Sequence, residues 1–413
     1  MVNARRFRLG LATLLFVAPG LAPRADVIMD WNARADAIST EKRMAPPPTA
    51  RVMALMHVAM FEAINAIERR YRPYRLDLIA DRNTSREAAA ASAAHTVLVA
   101  QFPDQKSALD AELATELGAI ADSPARERGI LVGRKAAADL LDLHADDGKG
   151  VDDYRPSTTA GVYVPTTTVA GYLVRTYQPW VMTDAAQFRP APPPALNSEA
   201  WARDVNEIRE MGGLASTTRS AEQTMVAKFW FLTGARTYNP IVRQVALAKR
   251  MNLLDCARLY ALASMAAADA FIAVFEAKYH YHFWRPVTAI RNADLSQNPA
   301  TPREAGWLPL GETPMHPEYP CAHCISASAV AAVLRAVVGD EVGEIAVTTP
   351  TAPGVTRRWT RLSEYSREVS NARVWAGFHY RFSTEVAEDM GRKIGEIVVS
   401  TSLRPKERSA RER

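Results

Sequence analysis

Cysteine is scarce in this chain. Only three cysteines, Cys256, Cys321 and Cys324, occur among its 413 residues. A structural zinc site normally uses four nitrogen or sulfur ligands, whereas the eight histidines are scattered without the regular spacing of such a site. The sequence therefore excludes a conventional zinc finger and leaves open only a mixed Cys/His site.

An excess of positive charge is missing from the body of the chain. The formal net charge of +5 comes from the two ends, because residues 1–25 carry four arginines and no acid, while residues 404–413 carry five bases against two acids. Between these ends the chain is slightly acidic. Such a body has no net basic field to attract nucleic acid, so no nucleic-acid partner is expected.

Long hydrophobic runs are missing from the body as well. Within the segments of helical spacing, charge-free apolar stretches such as Leu259–Ala268 and Cys324–Leu334 fall far short of the roughly 20 apolar residues that a bilayer requires. No membrane span is therefore expected. Hydrophobic residues at 48% and charged residues at 23% are ordinary for a globular protein, so composition alone indicates no function.

The N-terminus has the pattern of a secretory signal. Arg5, Arg6 and Arg8 precede the apolar run LGLATLLFVA, and mostly small residues follow up to Ala25. We expect cleavage near residues 22–25 and export of the mature protein to the periplasm or out of the cell. A buried first helix is the alternative, and the evenly apolar run fits it less well.

Alternation typical of strands is rare, and apolar residues recur mainly at helical spacing. This spacing occurs in residues 51–67, 86–102, 127–145, 199–212, 219–234, 240–283, 324–338 and 384–401. No internal repeat or low-complexity tract interrupts it. The sequence predicts an all-α protein built of helical bundles.

Proline, threonine and glycine replace the helical pattern from about residue 146 to residue 197. This stretch is too long for a simple connector, so we expect it to wrap the surface or line a cleft. The predicted organisation is a signal peptide (1–25), an N-terminal helical region with this Pro/Thr-rich loop (26–198), a catalytic helical bundle with an oxyanion site (199–403) and a basic tail (404–413).

The pentapeptide PCAHC, residues 320–324, has several interpretations. A c-type haem anchor needs histidine directly after the second cysteine, and Ile325 stands there. A thioredoxin-like redox pair normally follows a β-strand, and the flanks contain no βαβ unit. In an exported protein Cys321 and Cys324 can also form a structural disulfide. The last interpretation is an anion site, because the helix that follows HPEYP has unpaired N–H groups in its first turn.

Two other segments supply cations for an oxyanion. Lys278 and Arg285 lie seven residues apart, which on an α-helix places both on one face before Pro286 stops the helix. Arg373 and His379 lie six apart, which a straight helix would place on different faces. We therefore expect a bend near Gly377 or a helix that begins after Arg373.

These three segments resemble the superfamily of vanadium-dependent haloperoxidases and type 2 phosphatidic acid phosphatases. The superfamily pattern is K-x6-R-P, then P-S-G-H, then S-R-x5-H. The chain has Lys278, Arg285 and Pro286, then PCAHC, then Ala372, Arg373 and His379, in that order. The helical first part and the loop around GVYVPT and FRPAPP also resemble soluble bacterial haloperoxidase-like proteins, so the resemblance covers most of residues 26–400.

The resemblance implies a role for each residue of these motifs. His379 would ligate vanadate or, with phosphate esters, attack phosphorus, and His323 would be the general acid/base. The oxyanion would be bound by Lys278, Arg285, Cys321, Ala322 and Arg373. Vanadate is the implied cofactor, and phosphate fits the same site.

His316 lies five residues before Cys321, where algal members of the superfamily carry a second histidine near the halide. A halide or substrate role and an ordinary loop histidine are equally compatible with the sequence. The other histidines near these motifs, His280 and His282, have no assigned role, and His57 is expected in the core.

The chain departs from the superfamily at four positions. Cys321 and Ala322 replace Ser and Gly, Ala372 replaces Ser, and Ser383 stands where members often have Asp. Ala322 keeps its N–H donor, whereas a thiol at position 321 is a weak donor that could reduce vanadium or pair with Cys324.

The sequence thus predicts an exported vanadium haloperoxidase that uses hydrogen peroxide and halide. One alternative is an acid phosphatase that acts on phosphate esters with His379 as nucleophile. Another is a non-catalytic oxyanion-binding protein or a thiol–disulfide protein of Cys321 and Cys324. The sequence does not determine the halide, the organic substrate or the oligomeric state. A homo-oligomer is one of the open alternatives.

Overall fold

A computed structural model describes residues 26–407 of the chain. The predicted signal peptide (1–25), its cleavage site and residues 408–413 of the basic tail lie outside the described residues. Within 26–407 the α-helices are α1 Val27–Glu41, α2 Pro46–Glu68, α3 Arg86–Gln101, α4 Lys106–Gly118, α5 Pro124–Leu143, α6 Glu199–Gly212, α7 Ala221–Phe229, α8 Ala235–Ala248, α9 Leu253–Tyr281, α10 Pro286–Arg291, α11 Ala322–Val338, α12 Leu362–Trp375 and α13 Arg381–Thr401.

The molecule is built around α9, its longest described helix. Asn252 caps the helix by accepting a hydrogen bond from the N–H of Asp255, and the helix ends where His282 adopts a left-handed conformation (φ 50°). On its sides α9 packs against α2, α11 and α13, while α3 packs against α2 and α5. Apolar side chains from Val27 to Leu403 form one continuous core around these helices.

Two helices of this core are long and apolar enough to cross a membrane. They are α2 and α9, and 94% of the apolar window of each is buried inside the protein. A buried core helix passes the same test of length and composition, and the burial of both places them in the core.

The helix that carries the first cation ends earlier than the sequence predicts. The stretch 240–283 was expected to be one helix, but residues 249–252 divide it into α8 and α9, and α9 stops at Tyr281. Arg285 therefore lies beyond α9 and is the N-cap residue of α10. Pro286 begins α10 instead of stopping α9, because proline fits the first turn of a helix.

A β-hairpin is present where the sequence predicts none. Glu341–Thr348 (β1) pairs antiparallel with Thr356–Arg361 (β2), and this is the one sheet within residues 26–407. Only alternate residues such as Ile345, Val347 and Trp359 are buried. The largely polar segment TRRWTR has no apolar alternation, so its pairing could not be read from the sequence.

The Pro/Thr-rich stretch contains no α-helix, as predicted. The carboxylate of Asp269 on α9 fastens it by accepting hydrogen bonds from the N–H groups of Trp180 (2.7 Å), Val181 (2.8 Å) and Met182 (3.1 Å). Upstream of this clamp, residues 170–174 form one wall of a cavity. The expectation that the stretch lines a cleft is confirmed.

A close contact between two glycines fixes the junction of α12 and α13. Gly377 has a φ of +80°, and a Cβ atom there would lie 2.5 Å from the carbonyl oxygen of Gly212 at the end of α6. A Cβ atom at Gly212 would lie 2.5 Å from Cα of Gly377. The bend expected near Gly377 is therefore present, and it places His379 in the turn between two helices.

Candidate functional site

Five parts of the fold contribute residues to one buried site. Lys278 comes from the last turn of α9 and Arg285 from the cap of α10. The loop before α11 contributes the tripeptide 316–318, and the bend between α12 and α13 contributes His379. Arg373, in the last turn of α12, completes the set.

His379 is fully buried and bonded through both ring nitrogens. Its Nδ1 lies 2.7 Å from Oε1 of Glu318, and its Nε2 lies 3.2 Å from Nη1 of Arg285. A guanidinium can only donate, so Nε2 accepts that hydrogen bond. Nδ1 then carries the ring proton and donates a hydrogen bond to Glu318. The unprotonated Nε2 is therefore the nitrogen that can bind a ligand.

Arg285 connects three parts of the site. It donates to the carbonyl oxygens of Phe378 (3.0 Å) and His316 (2.9 Å), and its Nη2 lies 2.9 Å from Nδ1 of His316. The ring of His316 also packs edge-on against Phe275 at 5.2 Å between centroids. Arg285 thus fixes the position of His316 relative to His379.

Lys278 and Arg373 are buried cations whose hydrogen bonds go to backbone carbonyls. Lys278 donates to the carbonyl oxygens of Pro317 (2.9 Å) and Glu318 (2.7 Å), and Arg373 donates to that of Trp230 (2.8 Å). Nε of Arg373 is buried without a hydrogen-bond partner. A donor left unpaired in the interior is unfavourable unless a ligand accepts from it.

The electrostatics of the site favour a bound anion. Burial, with repulsion from neighbouring cations, lowers the pKa of Lys278 well below its ordinary value. Burial also lowers the pKa of Arg285 to about 10, and burial with repulsion from Arg285 lowers that of Arg373 to about 9. Three cations crowded in the interior repel one another, and an oxyanion would relieve that repulsion.

The histidines are kept neutral by the same environment. Burial and the nearby cations lower the pKa of His316, His323 and His379 well below the ordinary value. Burial raises the pKa of Glu318 to about 7, while Lys278 and Arg285 oppose that rise. Neutral imidazoles beside cations can act as bases or ligands.

PCAHC begins helix α11, and its two cysteines form a disulfide. Cys321 is the N-cap residue, and its sulfur accepts from the N–H of Cys324 at 3.2 Å. In this form Cys321 has no S–H to donate, so the sequence-based hypothesis of a thiol donor to the oxyanion does not apply to it. The N–H groups of Ala322 and His323, in the first turn of α11, have no acceptor within the helix itself.

His323 lies next to the loop that follows α7. Its Nε2 is 3.3 Å from the carbonyl oxygen of Phe231, and because a carbonyl only accepts, Nε2 carries the proton. Nδ1 is then the nitrogen able to take up a proton. His323 is only partly buried, unlike His379, so it is the histidine closer to the cavity.

A cavity of about 540 Å³ leads to the site. Ala322, His323 and His316 border it on one side. The opposite walls are mainly apolar and include Leu173, Val174, Phe231, Phe271 and Phe275. Small polar reactants and an apolar organic molecule can both reach His323 through such a space.

Glu318 lies outside the three sequence motifs, although the structure places it at the centre of the site. Its partner His379 lies 61 residues further along the chain, a separation that no local spacing reveals. One signal was available, because Glu318 is an acid between two prolines directly before PCAHC. An acidic residue next to a motif that is expected to lie among lysine and arginine side chains is a candidate partner for them.

Within residues 26–407, no group of three or more His, Cys, Asp or Glu side chains is arranged to hold a metal ion. The mixed Cys/His zinc site that the sequence left open is therefore not formed by these residues. The cations and the first-turn N–H groups instead suit the oxygens of a tetrahedral oxyanion, and the unprotonated imidazole nitrogen suits its central atom. The donor set fits vanadate and phosphate alike.

Comparison with known proteins finds similarity to vanadium-dependent haloperoxidases. Residues 258–406 match the family model described as the VCPO second helical-bundle domain. The vanadium chloroperoxidase of Curvularia inaequalis is 27% identical over 270 residues, which cover 48% of this chain and 44% of that protein. The matched region thus spans less than half the length of this relative.

Solved structures match nearly the whole chain. A bacterial vanadium-dependent iodoperoxidase matches with a TM-score of 0.79 and 23% identity, covering 92% of this chain and 98% of its own. A bacterial vanadium-dependent chloroperoxidase in its apo form matches with a TM-score of 0.67 and 17% identity, covering 92% and 94%. The predicted all-α helical-bundle fold is confirmed.

Proposed function

Because the chain resembles the vanadium-dependent haloperoxidases in sequence and has their fold, we propose that it oxidises halide with hydrogen peroxide at a vanadate bound to His379. The observation that carries the proposal is the meeting of three fully buried cations with an unprotonated imidazole nitrogen, Nε2 of His379. The acceptors that bond these cations are all neutral, either backbone carbonyl oxygens or imidazole nitrogens, so an oxyanion would be their natural counter-ion.

The residues of the site divide the work between binding and proton transfer. Lys278, Arg285 and Arg373 hold the oxyanion and neutralise its oxygens, with help from the first-turn N–H groups of α11. Nε2 of His379 is the single protein ligand. His323, at the boundary with the cavity, moves the proton of the peroxide.

Vanadate bound in this set supplies a Lewis-acid centre that makes peroxide oxygen electrophilic toward halide. The mainly apolar cavity beside His323 limits the water that reaches the reacting atoms and admits the organic molecule to be halogenated. His316, held by Arg285 and Phe275 at the cavity edge, contacts the halide. These assignments extend the likeness to haloperoxidases, whose identity to this chain is 27% or less.

The test compares two reactions of one preparation. The protein is purified without metal and given orthovanadate or a phosphate ester separately, and bromination and phosphate release are then assayed side by side. We expect bromination that requires vanadate and is lost in His379→Ala. His95→Ala is the matched control, because His95 is a partly buried histidine paired with Asp110 far along the sequence from the site motifs. Phosphate release without any vanadate-dependent bromination would contradict the proposal.

One observation favours acid phosphatase activity as the second candidate. Glu318 holds the proton on Nδ1 of His379 and leaves Nε2 unprotonated, which is the state a histidine nucleophile needs for attack on phosphorus. The same paired assay decides between the two reactions. A thiol–disulfide function is less well supported, because both Cys321 and Cys324 are fully buried.

We also propose that the protein is exported, on the basis of the basic, apolar and small-residue pattern of residues 1–25. Protein recovered from its native host should lack Met1 to about residue 22. N-terminal sequencing of an extracytoplasmic fraction checks this, and a sequence that begins at Met1 or Val2 would contradict it.

A further inference from the structure

We propose that Glu318 is the positioning residue of His379, and that it supplies the carboxylate beside this histidine in a chain that has serine at position 383. The proposal rests on the proposed oxyanion function of His379 and adds to it the group that prepares this histidine. Nothing in the spacing of the three motifs assigns Glu318, because it lies outside all of them.

The contacts of the carboxylate fix its role. Oε1 of Glu318 accepts hydrogen bonds from Nδ1–H of His379 (2.7 Å) and from the N–H of Tyr380 (3.2 Å). One oxygen that receives two neighbouring donors holds the imidazole plane as well as the position of its proton. With the proton kept on Nδ1, Nε2 must present its lone pair to the site.

The backbone of Glu318 is anchored on the other side of the site. Its N–H donates to the carbonyl oxygen of Phe283 (2.8 Å), and its own carbonyl oxygen accepts from Lys278 (2.7 Å). One residue thus bonds a cation of the site through its main chain and the histidine through its side chain. Glu318 therefore sets the position of His379 relative to the end of α9.

The position of Ser383 explains why the acid is supplied from this loop. Residue 383, four after the histidine, is where members of the superfamily often carry Asp. In this chain Oγ of Ser383 and Oε2 of Glu318 are both buried without a hydrogen bond of normal geometry, and Ser383 is close enough to influence the carboxyl group. A short polar side chain at 383 thus leaves space for a carboxylate from residue 318.

The experiment reads the ring proton directly. Protein labelled with ¹⁵N-histidine and free of vanadate is studied by long-range ¹H–¹⁵N correlation NMR, which identifies the protonated nitrogen of each ring. The His379 signals are assigned by their loss in His379→Ala. Orthovanadate binding is measured by calorimetry on the same variants, in the absence of halide and peroxide.

We expect Nδ1–H on His379 in the wild-type protein, and loss of that preference in Glu318→Ala. Orthovanadate affinity should fall about 10- to 100-fold in the same variant, as is usual when the partner of a ligating histidine is removed. Glu318→Gln should keep the proton on Nδ1, because an amide oxygen can still accept a hydrogen bond from Nδ1–H. Adding Ser383→Asp to Glu318→Ala should restore the proton position by returning a carboxylate to the site.

Glu62→Ala is the matched control, because Glu62 is also a fully buried glutamate that accepts a backbone N–H, and it lies outside the site. It should leave the His379 proton and the orthovanadate affinity unchanged. A wild-type His379 protonated on Nε2, or an unchanged Nδ1 proton in Glu318→Ala, would overturn the proposal. Since neither the NMR nor the calorimetric measurement needs turnover, absence of haloperoxidase activity would reject the proposed function without deciding the role of Glu318.

Discussion

At the scale of single residues, the main feature is positive charge held in the interior. Lys278, Arg285 and Arg373 are each 1% exposed or less, and Glu318 is the single carboxylate bonded within their site. Buried charges normally have paired partners, so an uncompensated set of this kind indicates a ligand. The consequences can be measured one side chain at a time.

Arg373→Met should weaken oxyanion binding. The change keeps most of the side-chain volume and removes a buried donor whose Nε has no partner, so orthovanadate and phosphate should both bind about tenfold to a hundredfold more weakly. Calorimetric titration of each anion checks the loss. Arg392→Met, at an exposed arginine paired with Asp389 and Glu396, should leave both affinities unchanged. Equal losses in the two variants would mean that general surface charge, and not the site, attracts the anion.

His323 and Cys321 should respond differently to mutation. His323→Ala removes the proton-transfer group beside the cavity and should lower turnover by about 10²–10⁴. Cys321→Ser removes the disulfide with Cys324 and replaces it with a hydroxyl donor, so oxyanion binding should be unchanged or stronger. Steady-state kinetics and anion titration of both variants show which substitution costs more turnover and which changes oxyanion binding. Turnover that survives His323→Ala and disappears in Cys321→Ser would favour the thiol–disulfide interpretation.

The sequence reveals the cations and histidines of the site but not their arrangement. Lys278, Arg285, Arg373 and His379 stand in spaced motifs, and the structure brings them together. Glu318 could not be assigned in this way, because its role depends on a contact across 61 residues. The state of Cys321 also needed the structure, since a C-x-x-C spacing is compatible with free thiols and with a disulfide.

At the scale of helices and loops, buried carboxylates of core helices hold the irregular segments in place. Asp269 of α9 binds three successive N–H groups of the Pro/Thr-rich stretch, and Glu62 of α2 accepts from the N–H of Tyr74. Both acids lie on helices that form the centre of the core. Loops without regular structure are thereby fixed to the most rigid part of the molecule.

Asp269→Asn should loosen the stretch that borders the cavity. An amide can offer only one acceptor oxygen, so at least one of the three N–H groups loses its partner and meets a donor, at a cost of about 2–3 kcal/mol of unfolding free energy. Urea unfolding measures the cost, and limited proteolysis within residues 150–197 reports the loosening. Asp184→Asn, at an exposed acid of the same stretch that accepts one N–H from Ala186, should change neither.

Glu62→Gln should change how stability depends on pH. Burial raises the pKa of Glu62 from its ordinary value near 4.5 to about 8, so between these values the folded protein holds a proton that the unfolded chain has released. The contribution of Glu62 is therefore fully present below about pH 4.5 and is lost as pH rises to about 8, with a slope of at most about 1.4 kcal/mol per pH unit. Urea unfolding across this range should show that the variant gains stability relative to wild type as pH rises. The control Glu87→Gln, at an exposed glutamate, should show the same dependence of stability on pH as the wild type.

Periodicity predicts the buried helices better than their boundaries. The apolar spacing of residues 51–67 and 199–212 corresponds to α2 and α6. The sequence does not predict α4, in which only Leu109 and Leu113 are buried, or α12, although half of the residues of α12 are buried. The end of α9 depends on the left-handed residue His282, which no pattern of apolar residues indicates. Local backbone conformation and tertiary contacts, not propensity, set these boundaries.

At the scale of the whole molecule, the cation site lies where separate parts of the fold meet. α9, α11 and the α12–α13 bend each contribute to this site, so the repulsion among its buried cations opposes the packing of these three elements. Any anion that binds the folded site therefore stabilises the whole protein by linkage.

Orthovanadate should raise the unfolding temperature of the metal-free protein. At a concentration about 100 times its dissociation constant, a ligand specific for the folded state adds about 2.7 kcal/mol to the unfolding free energy. Differential scanning calorimetry with orthovanadate, phosphate or chloride at equal ionic strength measures the gain. We expect stabilisation by the two tetrahedral anions and little by chloride, and a smaller effect in Arg373→Met. Equal stabilisation by all three would contradict a shaped oxyanion site.

The contact between Gly212 and Gly377 links residues that a sequence comparison would treat as unrelated. A Cβ atom on either glycine would clash with the backbone of the other. A backbone cannot move aside as a flexible side chain can. In a randomised gene library, active clones should therefore keep glycine at both positions, although neither touches the oxyanion. Position 212, in a helix that gives no group to the chemistry, would be as intolerant of change as a catalytic residue.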